Sequence, residues 1–218
     1  MNYKLSFLFL FFLQGASSQV YQWTSKNSDV TTIYKVQKDS NYLIETVYQT
    51  NPPKFLRTRG GFYKKKNEIL NLRLEFNSNY PNDSVGHLEY IIPKNAKVVS
   101  SLILELNGKW LMSGRINSEG QIKRRDIDRP RKTLKFLTDG FFQWTAFNNE
   151  TFQFYGCGGG KYSAQEGEYE ESIIYFSRDD SRSGQKLAFK YEKKNNDWHH
   201  TGYSSKGKPL YEIWTLRK

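Results

Sequence analysis

Gly108-Lys109-Trp110 at one end and Tyr211-Glu212-Ile213-Trp214-Thr215-Leu216-Arg217 at the other bracket the stretch that decides the fold. Between residues 107 and 218 lie short segments alternating apolar with polar residues. They are separated by Asp139-Gly140, by Asn148-Asn149 and by a glycine run at Gly156, Gly158, Gly159 and Gly160. Period-two alternation with closely spaced turn residues predicts antiparallel strands joined by hairpins. Strands are expected near 109–116, 132–138, 141–147, 151–163, 168–177, 185–192, 197–203 and 209–217. No long amphipathic helical stretch occurs. The fold class is therefore all-β, an antiparallel up-and-down meander closed by its first and last strands, because closure removes exposed strand edges.

Working outward, residues 19–101 read as a shortened copy of residues 102–218. Trp23 aligns with Trp110, and Thr32-Ile33-Tyr34 with Thr133-Leu134-Lys135. The segment from Lys54 to Tyr63 aligns with Gln153 to Tyr162, and Glu75-Phe76-Asn77 with Tyr175-Phe176-Ser177. A polar insertion at Ser118 to Arg129 absorbs the extra length of the second copy. Internal self-similarity of this kind points to two related barrel-like units.

Residues 1–18 form a third segment. Lys4 precedes an apolar run from Leu5 to Leu13, followed by Gln14-Gly15-Ala16-Ser17-Ser18. This is the pattern of a secretory signal peptide cleaved near Ser18, which places the mature protein outside the cell or in the periplasm. The run is too short to span a bilayer, so no transmembrane segment is expected in the mature chain. The whole chain carries a net charge of +11, and removal of residues 1–18 takes away one lysine and no acid. Cys157 is the only cysteine, so no internal disulfide can form, and cohesion must come from closure and from an aromatic content of 16%.

Gly108-Lys109-Trp110 resembles the Gly-x-Trp signature on the first strand of lipocalins. The resemblance implies that Trp110 and Arg217 close one barrel end, with the arginine packed over the indole. The segment from Gly156 to Trp214 also looks like secreted lipocalin-like proteins of Bacteroidetes-type bacteria. It does so through Gly158-Gly159-Gly160-Lys161-Tyr162, Tyr175-Phe176-Ser177-Arg178-Asp179, Trp198-His199-His200 and Tyr211-Glu212-Ile213-Trp214. That resemblance implies a lipocalin-like barrel and no known activity. The first copy departs from the signature, because Tyr21-Gln22-Trp23 lacks the glycine.

The residues that carry chemistry favour binding over catalysis. The glycine run lacks the Gly-Lys-Ser/Thr ending of a phosphate loop and reads as a barrel bend. Cys157 has no base at a recognisable spacing and reads as a packed thiol. His199 and His200 point to opposite faces of a strand and cannot chelate one ion together, so no metal site is expected. No cofactor motif is present. Alternation sets Glu168 and Glu170 on one face and Tyr169 and Glu171 on the other, and crowded carboxylates of this kind read as facing solvent. Lys123-Arg124-Arg125, Arg129 and Arg131-Lys132 form a basic loop suited to acidic glycans. Export argues against a nucleic-acid partner. Aromatic rows on both faces of several strands suggest a ligand cavity contacted by Trp144, Tyr162, Tyr175 and His200.

The expectation is a non-catalytic protein that holds a small apolar or amphipathic ligand. The alternative is a carbohydrate-associated surface module using exposed aromatics and the basic loops. An enzyme remains a third reading, to be judged by whether His200 and Glu212 meet inside the barrel.

Overall fold

The computed structural model describes residues 18–27, 29–100 and 104–217. The segment expected to be a signal peptide, residues 1–18, lies outside these residues apart from Ser18. An open sheet comes first in the chain: β1 (Gln19–Asn27), β2 (Val30–Lys38), β3 (Tyr42–Thr50), β4 (Pro53–Lys66), β5 (Ile69–Asn77), β6 (His87–Tyr90) and β7 (Lys97–Val98). Its spatial order is β6-β5-β4-β3-β2-β1-β7, antiparallel throughout. The barrel follows, with β8 (Gly108–Ile116), β9 (Ile122–Arg124), β10 (Arg131–Thr138), β11 (Phe141–Asn148), β12 (Phe154–Gln165), β13 (Glu168–Phe176), β14 (Lys186–Lys194), β15 (Asp197–Tyr203) and β16 (Pro209–Leu216). Strands β10 to β16 pair in sequence order, and β8 pairs with both β16 and β10. The eight strands thus close into an up-and-down barrel, with the short β9 added on β8.

The barrel agrees with the expected architecture, whereas the first unit does not close. Beyond β5 it has only the four residues of β6 and the two of β7, where the barrel has three long strands. Among the described residues near the end of this unit, Lys97–Val98 forms a short strand, and a turn bonds Asn107 N–H to the Leu104 carbonyl.

Strand registers match between the two units at a constant offset of 99 residues. Thr32 pairs with Gln49 and Arg131 with Asn148; Leu70 pairs with Tyr90 and Tyr169 with Phe189. Bulges recur at the same places, at Val47/Tyr48 and Ala146/Phe147, and at Gly60/Gly61 and Gly159/Gly160. Thr58 N–H donates to Ser78 Oγ at 2.9 Å, as Cys157 N–H does to Ser177 Oγ at 2.8 Å. The glycine run therefore sits in a bulged strand, where a Cβ at Gly160 would overlap the Ser172 carbonyl and one at Gly61 that of Arg73. This register corrects three sequence alignments. Tyr21, paired with Val36, occupies the place of Trp110, paired with Lys135, so Trp23 does not. Phe76 rather than Glu75 matches Tyr175, and Thr32 matches Arg131 rather than Thr133.

The two units pack back to back. Tyr42, Ile44 and Phe76 of the sheet meet Leu111, Leu134, Phe136 and Phe147 on the outside of the barrel. Beside this apolar layer runs a buried polar chain. Lys35 Nζ donates to Tyr175 Oη (2.6 Å), Tyr175 to Gln143 Oε1 (2.7 Å), Thr46 to the same oxygen (2.6 Å), and Gln143 Nε2 to Thr58 Oγ1 (2.9 Å). Such groups tolerate burial because each finds a partner. The opposite face of the sheet forms a separate small core of Val36, Leu43, Leu70, Leu72, Leu74 and Tyr90.

Candidate functional site

One end of the barrel is shut by its own side chains. Trp110 is buried against Trp198, with ring centroids 5.7 Å apart, and its indole N–H donates to the Leu106 carbonyl at 2.8 Å. Tyr162 donates to Asn107 Oδ1 at 2.7 Å, and Asn107 Nδ2 bonds Asp139 Oδ1 at 2.5 Å. Gly108 adopts φ +144°, and a Cβ there would overlap the Leu216 side chain, so this glycine lets the last strand close on the first.

Above this plug the barrel holds a cavity of about 470 Å³, within the range of small-molecule sites. Its walls include Met112, Trp144, Ile173, Phe176, Phe189 and Leu210. Its floor is polar and buried. Lys135 Nζ bonds Glu171 Oε1 at 2.8 Å, with both side chains about 5% exposed, and lies 4.9 Å from the Trp214 ring centroid and 5.1 Å from that of Trp198. Tyr169 donates to the same Glu171 oxygen at 2.9 Å, and burial together with that carboxylate holds its phenol protonated. Beside them sits His200, 2% exposed, with Nδ1 3.8 Å from Glu212 Oε2. Burial first, then the Lys135 charge, lowers the His200 pKa, so its ring is neutral at pH 7. Burial raises the Glu212 pKa, but His200 and the charges of Lys135 and Arg115 outweigh it and leave a net lowering. Neither His200 nitrogen, nor the Trp214 indole N–H, has a hydrogen-bond partner among the described residues.

At register-equivalent positions the open sheet places Val36 and Leu72 where the barrel has Lys135 and Glu171. An apolar pair fills that site well in the sheet, so the barrel's ion pair is not required by the strand framework. A polar floor over an apolar plug can orient a ligand through a few hydrogen bonds while the walls bury its apolar part.

No protein-family model and no curated protein matches the chain. Among solved structures it is similar to a lipocalin-like protein from Bacteroides uniformis, at 15% identity and a TM-score of 0.36, over 51% of this chain and 98% of that one. The fold is lipocalin-like. Its closed eight-stranded up-and-down barrel carries Gly108-Lys109-Trp110 on the first strand.

Of the four residues expected to contact ligand, Trp144 and His200 line the cavity. Tyr162 belongs to the plug. Tyr175 lies outside the barrel, 4.8 Å from the Tyr48 ring, because the bulge at Ile174 breaks the alternation that carried Tyr169 and Ile173 inward. Arg217 forms a two-pronged ion pair with Glu75 at 2.7 Å and lies over Phe62 at 4.7 Å. It ties the barrel to the sheet instead of covering Trp110. Cys157 is buried between the units, and burial raises its thiol pKa well above the ordinary value.

Sequence reasoning passed over Lys135 and the inward turn of Glu171. Glu168 and Glu170 do face solvent, where they pair with Lys190 and Lys186. The signal for Glu171 was its shared parity with Tyr169. The basic loop also changes meaning. Arg124 pairs with Asp197 at 2.8 Å, and Lys132 Nζ donates to the Ile127 and Arg129 carbonyls, while Arg125 and Arg131 line the cavity mouth.

Proposed function

We propose that this protein is an exported, non-catalytic carrier that holds one small amphipathic ligand in the barrel. The cavity supports the reading: apolar walls, a mouth at the end away from the Trp110 plug, and a floor with unpartnered hydrogen-bonding groups. His200 and Glu212 face each other in the cavity at 3.8 Å, longer than a hydrogen bond. Among the described residues the strongly exposed large apolar side chains are Leu56, Ile91, Val98, Ile122, Tyr203 and Leu216. With a single aromatic among them, the surface-glycan reading would have to rest on half-exposed rings such as the stacked pair Trp23 and Tyr34.

The test is a titration with the neutral dye N-phenyl-1-naphthylamine, followed by dye enhancement and tryptophan quenching. Saturable binding is expected in the wild type. It should be abolished in Ala146→Trp, which fills the cavity, while the far-UV spectrum is retained. Equal binding by both proteins would place the dye elsewhere and refute the carrier reading. Export predicts that protein secreted by its source begins at Gln19, which N-terminal mass spectrometry reads.

The two units also read as copies of one ancestral barrel-like unit. Support comes from the uninterrupted 99-residue correspondence of registers from Thr32 to Tyr90, including both bulges. In this history the first copy became a packing scaffold and the second kept the cavity.

A further inference from the structure

Four arginines, Arg115, Arg125, Arg131 and Arg178, line this same cavity, drawn from β8, the β9–β10 loop, the start of β10 and the turn after β13. Arg115 alone has a carboxylate partner, Glu212 at 3.1 Å. Arg178 spends its donors on the Tyr155 carbonyl, and Arg131 stacks on the Tyr155 ring with its guanidinium carbon 4.4 Å from the centroid. Arg125 makes no side-chain hydrogen bond or ion pair among the described residues, though it lies close enough to Arg115, Arg129 and Arg131 for their charges to lower its pKa after burial does. Clustered guanidinium groups repel one another; Glu212 offsets this only in part at Arg125, and a bound anion relieves the rest. The apolar walls begin directly beneath them at Trp144, Phe176 and Leu210.

We propose that the ligand is a single-chain amphiphile with an anionic head, carboxylate or phosphate, which Arg125 and Arg131 clamp at the mouth while the chain descends toward His200. The proposal rests on the carrier reading and specifies its ligand. Planar guanidinium groups suit either head, because both present paired oxygens to a fork of N–H donors.

The probes are laurate, dodecyl phosphate, dodecanol and dodecylamine, which share a chain and differ in head, measured by calorimetry below their micelle concentrations. Laurate and dodecyl phosphate should each bind about tenfold or more tighter than dodecanol, and dodecylamine weakest. The relative affinities of the two anions decide between a carboxylate and a phosphate head. The anionic preference should shrink with added salt and be lost in Arg125→Gln/Arg131→Gln, whose thermal unfolding is checked in parallel. Dodecanol binding as tightly as laurate to the wild type overturns the head-group assignment and leaves the carrier reading intact. Retention of the full preference in the folded variant overturns the role of Arg125 and Arg131. Failure of all four probes to bind overturns the carrier reading itself.

Discussion

Lys35 is 1% exposed and has a tyrosine hydroxyl instead of a carboxylate for a partner. Burial lowers its pKa to about 7. In the unfolded chain a lysine titrates near 10.4, so between about 7 and about 10.4 the unfolded state binds more protons than the folded one. Stability therefore gains a contribution that rises with pH across that window and is smallest below it. Urea unfolding at several pH values should show this slope in the wild type and a flatter one in Lys35→Met. Parallel slopes in the two proteins would show that the Lys35 ammonium stays charged when buried. Gly160 poses a simpler problem at the same scale. Its strand passes so close to Ser172 that Gly160→Ala should cost about 1–3 kcal/mol, read as a lowered denaturation midpoint with unchanged slope.

Elements are joined across the two units by a few strong polar contacts. The Arg217–Glu75 pair links the residue after β16 to β5, and Tyr42 on β3 donates to the same carboxylate at 2.8 Å. With side chains 15% and 10% exposed, either partner left alone is a poorly solvated charge. Arg217→Met or Glu75→Met singly should cost about 2–4 kcal/mol, and the double variant clearly less than their sum. Additive losses in the double-mutant cycle would mean that the two groups act independently. Lys109 of β8 adds a second tie, to Asp39 and to Asn41 at 2.9 Å. Strand alternation makes part of this level readable: it sets Glu171 on the face of Tyr169, and that face is the inner one. Tyr175 was misplaced because a bulge costs one residue of register, and nothing in Ile173-Ile174-Tyr175 marks where the extra residue falls.

For the whole molecule, the sheet acts as a second wall for the barrel. Leu111, Leu134, Phe136 and Phe147 are buried only because Tyr42, Ile44 and Phe76 cover them. Sheet and barrel should then unfold in one transition, because neither can lose the other without exposing that layer. Single-tryptophan variants retaining Trp23 in the sheet or Trp198 in the barrel provide the check: their denaturation curves should coincide. Two separated midpoints would show that the barrel stands alone.

The sequence by itself determined the local code. Alternation gave the strands, Asp139-Gly140 gave a tight turn with φ of 46° and 83°, and Gly108-Lys109-Trp110 marked the strand that closes the barrel. These features are written in neighbouring residues. Only tertiary structure decided which glutamate turned inward, that Arg217 reached Glu75 142 positions away, and that Arg125 and Arg131 of the basic loop came to line the cavity. Those outcomes depend on closure, on bulge position and on back-to-back packing, which couple residues far apart in the chain. The Gly108–Arg217 stretch thus specified a container, while its contacts with the first sheet and with the loop after β9 set how the container is held and what charge guards its mouth.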